Sequence, residues 1–321
     1  MQWRIKSIQK KISEKLPEGL VTPEHNEEGH WYRVHEGDLP LYPSVTGKLQ
    51  ILKDEGIMNF KMNRALDYVF EKWGQFTNEN IMEHLDFARR VSVDIFMDAG
   101  DIGTQIHDYR EEFFRDWINT GRRPADILSY IPKEKEDVRA VSALRALDKF
   151  CTDYNYIPVA TELLVYSHKM RTGGMLDDIG LMRRVKNEGD KGCVHEIMQH
   201  PNTSGRKPNL YQCIRCDYRY KLVFVLMDIK TSNQFKDHYF FQVALYYEMF
   251  YRLTGLKPDE CFILKLSKKD GTYKIEDLKK PGLLASYAHS MIRTNEGLEK
   301  IKELRKDNQK NVEKLTLKKN G

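Results

Sequence analysis

Asp228 and Lys230 close an apolar run, residues 222–227, and are followed by the polar Thr231-Ser232-Asn233. The run is short, rich in Val and Phe, and bounded by polar residues, which predicts a buried strand. Side chains alternate along a strand, so Asp228 and Lys230 share one face and Ile229 takes the other. An acid and an amine set together at the end of a buried strand are costly to keep there without a task. The chemistry they suit is hydrolysis, with a carboxylate to grip a metal ion and an ammonium to orient a water. Glu162 lies inside another alternating stretch, residues 158–168, with Val159, Thr161, Leu163 and Val165 on one face. Asp177 and Asp178 lie in a second, residues 173–182, bracketed by glycines that let the backbone bend or be approached closely. His107 stands beside the apolar face (Ile106, Tyr109, Phe113, Trp117) of a helix expected to open at Asp101-Ile102-Gly103-Thr104, one turn before Glu111.

A second group of chemical residues falls between the strands of Asp177 and Asp228. Cys193-Val194-His195 and Cys213-Ile214-Arg215-Cys216 are two closely spaced pairs of soft ligands. Three thiolates and one imidazole make a tetrahedral Zn²⁺ site, with His200 as an alternative fourth ligand. About 35 polar residues between neighbouring strands are too many for an ordinary loop. A metal knuckle would order them in place of a hydrophobic core.

The elements that must position these groups follow from periodicity. The chain of 321 residues has room for one large domain or two modest ones. It starts with a basic, helix-like piece, and residues 30–34 read as a strand. Ser44 or Thr46 is placed to cap a helical region that runs to about residue 99. Within it Leu49, Leu52, Met58, Met62, Leu66, Val69, Phe70 and Trp73 recur at helical spacing and are expected to face the core. Lys48, Lys53, Lys61, Arg64, Lys72, Arg89 and Arg90 decorate the other faces as solvated charges.

A basic loop (121–135) leads to a helix over 138–154. Polar sequence is expected from 183 to 219. A helix over 238–253 ends at Gly255, a natural C-cap, and carries Gln242 and Tyr246 on one face. Two closing strands, 260–267 and 271–278, flank a Lys268-Lys269-Asp270-Gly271 turn. From 283 to 321 the pattern is an amphipathic helix, with Tyr287, Met291, Leu298, Ile301 and Leu304 inward and a lysine-rich end.

Composition excludes some classes. The chain is 40% hydrophobic and 31% charged, and its net charge of +5 leans towards anionic partners without choosing among them. No apolar run approaches the roughly 18 residues of a membrane span. The basic start lacks the apolar stretch of a secretory signal. Five cysteines, an odd number, do not suggest a disulfide framework. An intracellular, cytoplasmic protein is expected, in the host cytoplasm if phage-encoded, with no membrane partner.

From residue 100 to 278 the expected order is helix, strand, strand, strand, helix, strand. On these elements stand Gly103-Thr104-x-x-His107, Glu162, Gly174-Met175-Leu176-Asp177, Asp228-Ile229-Lys230-Thr231 and Gln242-Val243-Ala244-Leu245-Tyr246. That set resembles the PD-(D/E)XK nuclease superfamily, RecB-type exonuclease branch, over a little more than half the chain. Residues 43–46 and the helices after them are similar to the front end of phage and mitochondrial genome-maintenance exonucleases.

The resemblance implies an α/β fold with a restriction-endonuclease-like αβββαβ core, its mixed central sheet flanked by helices. The parts are an N-terminal segment (1–42), a helical DNA-contacting region (43–99), the nuclease core (100–282) interrupted by the zinc-binding insertion (185–220), and a C-terminal helix with a basic tail (283–321). The implied function is a metal-dependent DNA nuclease in recombination, replication or repair, of phage type. It acts as an exonuclease at duplex ends or in single strands, and proteins of those processes are its expected partners. The rivals are a structure-specific endonuclease of the same fold and a non-catalytic DNA-binding protein that works through the insertion.

The chemistry agrees with this. Asp177 and Asp228 supply hard oxygen ligands for Mg²⁺ or Mn²⁺, with the backbone carbonyl of Ile229 as a third. His107 and Glu162, carried over by resemblance, complete the site. Asp178 is the alternative to Asp177, and the Gly-x-x-Asp register favours Asp177. Lys230 orients the attacking water and stabilises the transition state, while Gln242 and Tyr246 reach the site's edge to bond Lys230 or the DNA strand. Lys186, Lys191, Arg206, Lys207, Arg215 and Arg219 make the insertion basic enough to meet a DNA backbone. Some relatives hold an iron–sulfur cluster, but Cys151 and Cys261 do not reproduce its cysteine pattern, so none is expected.

Overall fold

The computed structural model describes residues 2–26, 29–52, 55–185, 210–212, 219–232 and 234–319. The four expected zinc ligands, Cys193, His195, Cys213 and Cys216, lie outside the described residues, as does His200.

The chain opens with α1 (Gln2–Lys15) and a small antiparallel sheet of β1 (Val21–Asn26), β2 (Gly29–Val34) and β3 (Tyr42–Pro43). β1 escapes the sequence pattern because only Val21 of its six residues is buried. Ser44 caps the short α2 (Val45–Lys48), its hydroxyl accepting the Gly47 N–H at 2.9 Å. α3 (Glu55–Lys72), α4 (Ile81–Thr120) and α5 (Val138–Asp153) follow.

The larger sheet is built from β4 (Ile157–Ser167), β5 (Thr172–Val185), β6 (Leu210–Gln212), β7 (Arg219–Lys230), β8 (Glu260–Leu266) and β9 (Tyr273–Asp277). Its order is β4-β5-β7-β8-β9, with β6 paired to the start of β7. Its described strand pairs are antiparallel except β7 with β8, which are parallel and joined through α6 (Asp237–Thr254). A parallel pair needs such a crossover. The chain ends in α7 (Pro281–Lys319). The protein is therefore mixed α/β, and among the described residues no helix is long and apolar enough to cross a membrane.

The apolar run of β7 exists because both faces are covered. Leu222, Phe224 and Leu226 pack with Val243 and Phe250 of α6, while Val223, Val225 and Met227 pack with Phe113 of α4 and Phe150 of α5. β5 and β7 also run further than expected, since Arg183 to Val185 pair with Leu222 to Tyr220. Ladder bonds are made by the backbone, so polar side chains at strand ends do not stop them.

Three expectations fail on packing. No helix begins at Asp101, because α4 runs unbroken from Ile81. The Asp-x-x-Thr signal is local, and tertiary packing overrides it. The helical stripe thought to be core is largely outside: Met62, Leu66, Phe70 and Trp73 are exposed and Val69 half-buried, while Leu49 is buried. α3 packs mainly against the front of α4 rather than the sheet, so among the described residues its second apolar flank is left uncovered. In α7 the buried positions are Ala285, Ala288 and Ile292, whereas Tyr287, Leu298 and Ile301 are exposed. Small residues let α7 lie close to α6, and the larger ones are left on the outside.

Candidate metal centre

Asp177 and Asp228 lie side by side where β5 and β7 part, each still within its own strand. The ladder between β5 and β7 ends at Asp178 opposite Met227, so the next residue on each strand is one of these acids. Asp177 Oδ2 accepts the backbone N–H of Ile229 at 2.7 Å across the gap. Ile229, expected to act through its carbonyl, is seen to position Asp177 through its N–H.

Asp178 turns the opposite way, as strand alternation requires, and meets Arg110 of α4. Arg110 is fully buried and fans its guanidinium over the cluster. It donates to Asp178 Oδ2 at 2.6 Å, to the Asp177 carbonyl at 3.2 Å, and to Glu162. It also approaches His107 Nδ1 at 3.4 Å. Sequence reasoning missed Arg110, although a signal existed. It lies between Tyr109 and Phe113 on the apolar side of a helix, where a cation stays only if paired.

Glu162 reaches the centre by a backbone irregularity. β4 carries a bulge between Pro158 and Ala160, and Glu162 itself has φ of 47°. A left-handed conformation costs a non-glycine residue about 1–3 kcal/mol and persists only where the surroundings enforce it. Here it breaks the expected alternation of β4 and delivers the carboxylate to Arg110. One ligand atom each from His107, Glu162 and Asp177 then lies within 4.8 Å of the others. Asp228 stands outside that trio. It is buried, with Oδ2 2.7 Å from Lys230 Nζ, and its Oδ1 finds no hydrogen-bond partner among the described residues.

The protonation pattern follows from burial and neighbours. Burial pushes the Glu162 carboxyl up to about 7 against the pull of Arg110. Burial likewise lifts Asp228 to about 7 against Lys230. At Asp177 burial is outweighed by the imidazolium that His107 becomes in acid, by the charges of Arg110 and Lys230 and by the Ile229 N–H, and its carboxyl sits below the usual range. Burial holds His107 down to about 4, so its imidazole is neutral and able to donate a lone pair. Burial works against the Lys230 ammonium, but Asp228 and Asp177 more than offset it, and its value is raised.

Glu162, Asp177, Asp178 and Asp228 thus crowd around two cations, Arg110 and Lys230. Such a donor set, with a neutral imidazole, hard oxygens and an orphaned buried carboxylate oxygen, fits Mg²⁺ or Mn²⁺.

A cavity of about 480 Å³ opens onto the centre, lined by His107, Glu162, Asp177 and Lys230 together with Gly103, Thr104, Thr231 and Tyr239. Gly103 allows a close approach, since a Cβ there would lie 3.2 Å from Thr231 Oγ1. Gln242 and Tyr246 do not line this cavity but bond to each other, Nε2 to Oη, at 3.1 Å. Tyr246 packs over Gly174, where a Cβ would come within 2.5 Å of its ring. The α6 side chain at the cavity is Tyr239, one turn earlier, with Lys230 Nζ 5.1 Å from its ring centroid. Spacing could have found it, because residues three apart on a helix are neighbours.

Compared with known families and curated proteins, the chain matches no family model and no curated sequence.

Proposed function

We infer that this chain is a divalent-metal-dependent nuclease of the PD-(D/E)XK kind, which hydrolyses phosphodiester bonds of DNA at ends or in single strands. The observation that carries this reading is the convergence of His107, Glu162 and Asp177 within 4.8 Å, beside the buried Asp228–Lys230 pair. His107, Glu162 and Asp177 would hold the cation, with Asp228 at its border. When bound, the cation neutralises charge that builds on the phosphate and makes water acidic enough to attack it.

The chain's own residues do the rest. Lys230 stays protonated, so its part is to orient water and meet developing negative charge, not to take a proton. Tyr239 and Asp228 fix its ammonium from two sides. Arg110 holds Glu162 and the Asp177 backbone in place without reaching the cavity.

The test is cleavage of end-labelled DNA with Mn²⁺ or Mg²⁺ by the wild type and by Asp228→Ala. Loss of cleavage in the variant supports the reading. A wild type that cuts nothing, or a variant that cuts as well as the wild type, overturns it. A covalently closed circle in the same assay separates an exonuclease, which leaves it intact, from an endonuclease.

A further inference from the structure

A second cavity, of about 390 Å³, adjoins the first and shares Thr231 and Ser232 with it. Its walls are basic, with Lys265, Lys268, Lys269 and Lys274 among them. Two of these lysines continue a line that begins at the metal centre. Lys230 of β7 is in register with Lys265 of β8, and Lys265 is in register with Lys274 of β9. Residues directly opposite on neighbouring strands project from the same face, and strands lie about 4.8 Å apart. The three lysines therefore form one row, spanning about 10 Å from the catalytic ammonium to the edge of the sheet.

Like charges directly opposite one another destabilise a sheet. Lys230 is already paired with Asp228 at 2.7 Å, whereas the acid in the second cavity's wall, Asp270, accepts from the N–H and hydroxyl of Thr272 at 3.1 and 2.7 Å in its own turn. Aromatic rings hold the first two ammoniums in matching fashion: Lys230 lies 5.1 Å from the ring centre of Tyr239, and Lys265 lies 5.1 Å from that of Phe235. Lys268 donates to the Ala99 carbonyl at 3.3 Å, at the rim where α4 passes both cavities. The hydroxyl of Thr231 adds a neutral donor, while those of Ser232 and Ser267 already donate to the Gln234 carbonyl and to Asp270. Short donors around a compact run of cations suit a tetrahedral oxyanion.

We propose that this cavity is a phosphate subsite, in which Lys265 and Lys274 hold a second phosphate of the strand whose scissile phosphate lies at the metal centre. The proposal rests on the nuclease reading and deepens it. The phosphate is either the neighbouring internal diester or a terminal monophosphate. The row sets the direction of the strand, which runs from the β5–β7 gap towards β9.

The experiment compares the full chain with Lys265→Gln/Lys274→Gln, and with Lys279→Gln/Lys300→Gln as a control of equal charge loss on exposed positions. Binding of short oligodeoxynucleotides, with 5′-hydroxyl or 5′-phosphate ends, is followed by fluorescence anisotropy with Ca²⁺ across a salt series. The double variant is expected to bind about tenfold more weakly, and its plot of log affinity against log salt to flatten by about 1.4, roughly 0.7 per lost contact. The control pair keeps the wild-type slope. Weakening for both oligonucleotides assigns the subsite to an internal diester, and weakening only for the phosphorylated one to a terminal monophosphate. The variant's melting temperature should stay level, because Lys274 is exposed and Lys265 only half-buried; a clear fall would make these lysines structural and overturn the proposal. An unchanged affinity and slope in the variant, alongside a wild type that binds and cuts, overturns the subsite alone. A wild type that neither binds nor cuts DNA overturns the nuclease reading and the subsite with it.

Discussion

The centre of the large sheet and the pair formed by α3 and the front of α4 invert the usual distribution of side chains in opposite ways. At the centre, Arg110, Asp178 and Asp228 are fully buried ionisable side chains. On the helical pair and the turn that joins it, Phe70, Trp73, Met82 and Met97 are largely exposed apolar groups. Globular proteins ordinarily bury the second kind and expose the first. The buried ionisable groups persist because they hold one another, so removing one strands its partners. The exposed apolar groups have few contacts to lose. The two regions should therefore respond very differently to substitution, even though α4 runs through both.

The largest effect is expected at Arg110. Arg110→Met removes the donor shared by Asp178, the Asp177 carbonyl and Glu162, so three acceptors lose it at once, and should destabilise the protein by about 3–5 kcal/mol, as breaking a buried pair does. Denaturant unfolding measures it. Adding Asp178→Asn to Arg110→Met should recover part of the loss, because one stranded carboxylate is gone. An Arg110→Met protein as stable as the wild type would erase the contrast between the regions.

Lys230→Met should affect activity more than stability. Its partner Asp228 can take up a proton near pH 7 and so avoid being left as a bare buried charge. Cleavage, by contrast, should fall by a factor equivalent to about 2.7–4 kcal/mol, the loss seen when one preorganised charge-stabilising donor is removed. Parallel melting curves and cleavage rates test the split. A stability loss as large as that of Arg110→Met would make Lys230 a structural cation instead.

The pH dependence is smaller, and its sign is fixed. Glu162 and Asp228 titrate near 7 in the folded chain against ordinary values of 4.5 and 3.8. Their carboxyls are raised, so the folded state keeps protons that the unfolded state has lost. Stability is then lost as pH rises towards and through 7, and levels off above it. His107 works in the opposite sense, since its depressed value costs stability as pH falls from 6.5 towards 4. Above 6.5 it is neutral in both states and drops out. Without metal, the melting temperature should thus decline between pH 6.5 and about 8. Mn²⁺ should restore more of it at the upper end, where the ligands are ionised, and a chelator should remove the gain. A melting temperature that climbs across this interval without metal would contradict the assignment.

How much of this was legible in the sequence divides along the same line. β7, α5, α6 and the β8–β9 hairpin follow from unambiguous periodicity and turn residues. The set His107, Glu162, Asp177, Asp228 and Lys230 was found as residue types in a chain order. Its geometry was not, because Glu162 depends on a positive φ and a bulge that no local pattern announces. Arg110 and Tyr239 carry local signals, a cation on an apolar helix face and a ring three residues before Gln242, but what each of them touches is set by partners distant in sequence. The stripe from Met62 to Trp73 misled for the converse reason. Periodicity shows that a helix has an apolar face, and not whether anything covers it.

The smallest effects should fall on that face, and α4 provides the internal control. Trp73 is 68% exposed and Phe70 73%, while Phe113 and Phe114, on the rear of α4, are fully buried. Trp73→Ser and Phe70→Ser should each shift stability by no more than about 0.5 kcal/mol, as surface changes do. Phe114→Ala should cost about 3–5 kcal/mol, because it empties a packed site against Tyr156 and Trp117. Urea midpoints for the three variants measure the contrast on one scale. If Trp73→Ser cost as much as Phe114→Ala, Trp73 would have to be packed in solution, and the helical pair and the centre of the molecule would no longer differ in kind.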